Sequence, residues 1–175
     1  AIGGGQVSYR FFCTLRNEQH RARIEEGLRG VPVTEPRCVP EDVERLKSAM
    51  ANLIAALPLG QGTGIGPAVA TKVLHKKRPH LIPMMDSYLW TTYRMSEWRR
   101  RQRGIGDRKR MLQLWCWFME DFCECRQDLT EIRKSLKDKD CDLSPLRIFD
   151  FCLWLAAAGR VKVSGQPGTL LRRQW

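Results

Sequence analysis

Apolar residues along this chain recur at three- and four-residue intervals, the period of helices laid against a core. Pro40-Glu41-Asp42 places a proline and two acids at a helix start. Val43, Leu46, Met50, Leu53, Ile54 and Leu57 then follow on one face, with Lys47 among them, until Pro58 stops the run. Pro67 sits well at the first position of a second helix carrying Val69, Ala70, Val73 and Leu74. Between these two lies Leu59-Gly60-Gln61-Gly62-Thr63-Gly64-Ile65-Gly66, so the pattern predicts helix, glycine hairpin, helix.

Pro79 and Pro83 bracket the extended stretch His80-Leu81-Ile82, and Asp86-Ser87 supplies a cap for a helix from Tyr88 to about Met95. Further helices are expected over Met111–Phe122, around Leu129–Lys139, and from Leu146 to Ala158 behind Asp142-Leu143-Ser144-Pro145, ended by Gly159. Residues 160–175 hold a Val-Lys-Val run readable as a strand, a turn or a tail. The expected fold is all-α, a compact helical bundle forming one domain over 1–175, with 1–8 as a flexible lead-in. The chain opens on Ala1 with Gly3-Gly4-Gly5 close behind, so the natural start is expected upstream or replaced.

Charge then narrows the partners. Thirty Lys and Arg against nineteen Asp and Glu give +11, an excess that attracts DNA, RNA or an anionic membrane. No long apolar run, signal segment or lipidation motif is visible, which points to a soluble, cytoplasmic protein. A membrane-surface role is poorly supported, because the arginines lack an amphipathic helix with exposed aromatics. The seven cysteines form no CxxC pair, so no metal and no cofactor is implied. Cys116, Cys123 and Cys152 sit among Trp, Phe and Leu, where reduced thiols behave as small buried hydrophobes and suggest a reducing compartment.

A glycine hairpin between helices has a use with nucleic acids: its amides and the following helix N-terminus converge on a phosphate. Such contacts position a duplex without reading it. By itself the hairpin is equally an ordinary interhelical turn. Leu57-Pro58, Gly64-Ile65-Gly66, Val69-Ala70-Thr71 and an aspartate, Asp86, twenty residues after Gly66 together resemble the helix-hairpin-helix DNA glycosylase superfamily. Lys76-Lys77-Arg78-Pro79, Leu81-Ile82-Pro83, Asp86-Ser87, Leu143-Ser144-Pro145-Leu146-Arg147-Ile148-Phe149-Asp150 and Leu153-Trp154 look, more narrowly, like an uncharacterised bacterial domain family of unknown function. These matches span 57–154. The chain departs from the superfamily in its expanded hairpin, Leu59 to Thr63, and in lacking the iron–sulfur cysteine quartet.

The resemblance implies a bacterial enzyme that binds double-stranded DNA as a monomer, extrudes a nucleotide and hydrolyses its base–sugar bond to leave an abasic site. Asp86 is then the catalytic carboxylate, stabilising the oxocarbenium-like sugar and orienting the attacking water. Ala68 stands where lyase-competent members carry a nucleophilic Lys, which implies a monofunctional enzyme; Lys72, one turn on, is the substitute candidate. Phosphate contacts are expected from Gly64, Ile65, Gly66, Ala68, Lys72, Lys76, Lys77, Arg78, Arg100, Arg101 and Arg103. The last three belong to a basic run over Arg94–Arg110 that contains a second Gly104-Ile105-Gly106. Tyr88, Trp90 and Tyr93 are candidates for stacking the extruded base, or for core. Asp150 is expected to be a structural ion pair with Arg147. The excised base is a damaged one or a modified phage base, such as a glucosylated cytosine, the latter implying antiviral defence. The alternative is a noncatalytic DNA-binding module in which Asp86 only caps a helix. A concave pocket opening onto Asp86 separates the two.

Overall fold

A computed structural model describes residues 13, 14, 16–60, 63, 65–94 and 106–159 of the chain. Gly64, Arg100, Arg101 and Arg103, with most of the basic run, the lead-in and 160–175, lie outside the described residues. The fold is all-α. The described residues form helices α1 (Glu18–Arg29), α2 (Pro40–Ala56), α3 (Pro67–Lys77), α4 (Ser87–Thr92), α5 (Asp107–Glu124), α6 (Arg126–Lys137) and α7 (Pro145–Ala157), and no strand. None of these helices is long and apolar enough to cross a membrane.

α5 is the axis of the core. Trp115, Phe118 and Phe122 are fully buried on it, and α2 and α6 pack against its flanks. Phe149 of α7 closes onto Phe118 edge-to-face with ring centroids 5.0 Å apart, the preferred aromatic geometry. The helix is longer than its apolar run because Gly106 caps it and Asp107, an acid in the first turn, pairs with Arg110 at 3.0 Å. α4 ends at Thr92, with Tyr93 as its C-cap, short of the expected Met95.

The sequence pattern predicts no helix at α1, which is polar nearly all round and buries no residue fully. It forms because the Asn17 side chain caps it, accepting from the His20 amide at 3.1 Å, and because Ile24 and Leu28 rest on the core. Gly27 makes the packing on α2 possible: a Cβ there would stand 3.0 Å from the Leu53 Cα.

Between α2 and α3 the described residues of the glycine segment make a turn. Gly60 and Ile65 face each other in an isolated antiparallel bridge, and Gly60, at φ +141, takes a conformation that side chains disfavour. Thr63 fastens the turn, its amide and hydroxyl donating to the Gly60 carbonyl at 3.2 and 2.8 Å.

The cysteines correct an expectation. Cys123 is joined in a disulfide to Cys38, at the foot of α2, across 85 residues of sequence, and Cys152 is exposed. Cys116 alone of the three is a partly buried free thiol, pushed up to about 11 mainly by burial. Its neighbours Trp115 and Trp117 turn inward, but helical geometry leaves Cys123 facing the loop that holds Cys38.

A clamped loop and the cavity at Asp86

The loop from Arg78 to Asp86 is held by side chains from three helices. Leu81, Ile82 and Met85 are completely buried, so their backbone groups need partners. Four side chains supply them. The Trp115 indole donates to the Leu81 carbonyl at 3.1 Å, His75 Nδ1 to the Ile82 carbonyl at 2.6 Å, and the Trp90 indole to the Met85 carbonyl at 2.9 Å. The Met85 amide donates to the Thr71 hydroxyl at 3.1 Å. Burial, reinforced by the charge of Arg147, holds the His75 pKa below its ordinary value, which keeps the ring neutral.

This loop delivers Asp86 to the head of α4, where its carboxylate accepts from the Leu89 amide at 3.0 Å. The cap that the Asp86-Ser87 pair predicts is present. Asp86 also lines a concave cavity of about 190 Å³, with Met84 and Leu89 on its own side. The opposite wall is α7, where Arg147, Asp150, Phe151 and Trp154 fall at i, i+3, i+4 and i+7 and so share one face.

Asp150 is buried, with 6% of its surface exposed. It makes the expected ion pair with Arg147, at 2.7 Å, and takes a backbone hydrogen bond from Met84. Burial nevertheless pushes its carboxyl up to about 6, and the neighbouring Asp86 adds to the rise against the opposing charge of Arg147. At the mouth Tyr88, Phe151 and Trp154 stand exposed. Phe151 stacks on Trp154 and Tyr88 meets it edge-on, both with centroids 5.8 Å apart.

Residues 9–157 match one family model throughout, a stretch that holds the clamped loop and both cavity walls. The chain belongs to DUF6308, a family of unknown function. No curated protein and no solved structure matches it.

The other expected site residues divide sharply in this DUF6308 member. Of the three aromatics, only Tyr88 reaches the cavity. Trp90 is committed to Met85 and lies under the Arg110 guanidinium, 4.8 Å from its ring centroid, while Tyr93 is buried in the core. Both are therefore packing residues. Arg78 turns into the fold: Nε donates to the Val31 carbonyl at 2.7 Å, Nη2 to Leu28 and Nη1 to Lys77, both at 2.8 Å. It satisfies carbonyls left over at the end of α1. Ile65 is buried and its amide donates to the Thr63 hydroxyl at 3.2 Å.

Gly66 caps α3 with no side-chain hydrogen bond and is exposed, so the amide of Ala68 in the first turn is left for an external acceptor. Lys76 and Lys77 are exposed on the last turn of the same helix, and Lys72 is half-buried between. Sequence reading missed Phe151 and Trp154 and gave Arg147 and Asp150 only a structural role. The signal was available: four polar and aromatic residues at helical spacing on an otherwise apolar helix.

Proposed function

We propose that this chain is a monofunctional DNA N-glycosylase that hydrolyses the base–sugar bond of a damaged or modified nucleotide, with Asp86 as its catalytic carboxylate. The observation that carries the reading is the cavity opening onto Asp86. At about 190 Å³ it is smaller than the roughly 300–1,000 Å³ of pockets for extended ligands, and suits a single ring system. Exposed aromatics at its mouth suit stacking of an extruded base. The arrangement of α2, glycine turn and α3 is read as a helix-hairpin-helix. In that reading the uncapped α3 N-terminus takes a phosphate, and Lys76, Lys77 and the net charge of +11 hold the duplex.

Asp86 is suited to the chemistry because its position is fixed before substrate arrives. Its hydrogen bond to Leu89 and the four clamps on its loop leave little reorganisation as positive charge develops on the deoxyribose. Losing one such group typically costs about 3–4 kcal/mol of barrier, two to three decades in rate.

The test incubates wild type and Asp86→Asn with duplexes bearing damaged bases and with phage DNAs bearing hypermodified, including glucosylated, cytosines, then treats them with alkali. Strand breaks with wild type only are expected. A second reading, a noncatalytic DNA-binding module, is favoured by the cap that Asp86 makes on α4. Tight binding by both proteins with no breaks on any DNA would establish that module instead.

A further inference from the structure

Two carboxylates share the cavity, and only one has been given a task. Asp86 stands at the head of α4 with part of its surface open. Asp150 faces it from α7, buried, held by Arg147 at 2.7 Å and by the Met84 amide. Burial raises the Asp150 carboxyl to about 6, and the nearby Asp86 adds to the rise against the charge of Arg147, so Asp150 holds a proton up to mildly acid pH. We propose that Asp150 is a second catalytic residue, the general acid that protonates the departing base, while Asp86 faces the sugar; this rests on the glycosylase reading above.

The assignment gives each wall of the cavity its own half of the reaction. As the bond from C1′ to the base nitrogen breaks, its electron pair leaves with the base, and the carboxyl proton of Asp150 passes to a ring atom of that base. The positive charge left on the sugar is met by the Asp86 carboxylate. Water adds to C1′, its proton passes to Asp86, and exchange with solvent restores both groups. Arg147 orients the Asp150 carboxyl through Nη1. Among the described residues its Nε and Nη2 make no hydrogen bond, which leaves donors for acceptor atoms on the same base. The charged groups facing Asp150 are Arg147 and Asp86. Tyr88 lines the same cavity, and on α3 burial and the charge of Arg147 lower the pKa of His75.

A buried acid near neutrality is what this role requires, since an essential acid with a pKa close to the working pH transfers protons best. Asp150, raised to about 6, meets that requirement. Single-turnover excision is to be followed for wild type and Asp150→Asn on a duplex that wild type cleaves, on both sides of about pH 6. The wild-type rate is expected to fall about tenfold per pH unit above that point. The variant, whose amide oxygen still accepts from Arg147, is expected to be about 10²–10⁴-fold slower at acid pH and to lack that limb. Its affinity for a duplex holding an uncleavable abasic analogue should stay within about twofold of wild type. A variant that keeps the limb, or a wild type without one, overturns the assignment. If the variant does not fold, carbon-13 NMR titration of the aspartates in wild type decides it: Asp150 ionised throughout the range overturns it. Absence of breaks with wild type on every DNA is a different failure, that of the glycosylase reading, and takes this assignment with it.

Discussion

Thr71 and Met85 are joined by a hydrogen bond of 3.1 Å that ties α3 to the residue immediately before Asp86. The hydroxyl gives its own proton to the Pro67 carbonyl at 2.9 Å and so can only accept from Met85. Thr71 is buried, 1% exposed. Thr71→Val keeps the shape and removes the acceptor, leaving a buried amide unpaired at a cost of about 1–3 kcal/mol. Chemical denaturation should show that loss and Thr71→Ser should restore most of it. Base excision should drop with Thr71→Val while duplex binding holds. Unchanged stability would mean that the loop does not depend on this bond.

Arg78 and its neighbours Lys76 and Lys77 are adjacent in sequence and differently placed, the arginine bonded to carbonyls and both lysines exposed. Arg78→Met removes three hydrogen bonds to carbonyls, two of them to Leu28 and Val31. Bonds from a charged donor contribute about 1.5–3 kcal/mol each at most, so a loss of stability of a few kcal/mol is expected. The salt dependence of DNA binding should not change. Lys76→Gln and Lys77→Gln should do the reverse, each lowering the salt slope by about 1 with little effect on folding. Binding measured against salt concentration separates the two, and an Arg78 variant with a shallower slope would place Arg78 among the phosphate contacts.

That contrast also marks where sequence reading stops. Periodicity, prolines and caps place α2, α3 and α7 closely, because a 3.6-residue apolar repeat and a proline at the first helical position are local signals. Asp86 is legible for the same reason, as a cap residue after a proline-bracketed loop. α1 is not, since its stability comes from two residues touching a core assembled from elsewhere. Whether Arg78 reaches solvent or a carbonyl 47 residues away is a tertiary fact, as is the wall that α7 builds opposite Asp86. Trp90 and Tyr93 look as available as Tyr88 in sequence, and only the burial of their side of α4 separates them.

Stability should depend on pH through one buried and one half-buried group acting in opposite senses. The Asp150 carboxyl is raised from 3.8 to about 6, so the folded state holds its proton longer than the unfolded chain does. Its contribution is fully present below about pH 4 and is lost as pH rises through about 6, an amount on the order of 3 kcal/mol. His75 is lowered from 6.5, so its contribution is present above that value and is lost as pH falls. In wild type the two partly offset each other. In Asp150→Asn only the His75 loss remains, so its denaturation midpoint should fall relative to wild type as pH drops below about 6. Parallel curves for the two proteins would contradict the raised Asp150 carboxyl.

Trp154 offers the most direct check on what the cavity takes. It is 37% exposed, stacked on Phe151 and met edge-on by Tyr88, so it contributes less to the core than a buried tryptophan would. Trp154→Ala should therefore cost clearly less stability than the roughly 3–5 kcal/mol of a fully buried site. If the aromatic mouth receives an extruded base, the same change removes a stacking surface worth about 1–3 kcal/mol per base. Affinity for a duplex carrying an unpaired base should fall about five- to a hundredfold, while affinity for a fully paired duplex stays as it was. A fluorescent base analogue at the unpaired position reads the same event directly, because stacking on the indole quenches it. Equal losses on both duplexes would show that Trp154 supports the fold of α7 and does not meet the base.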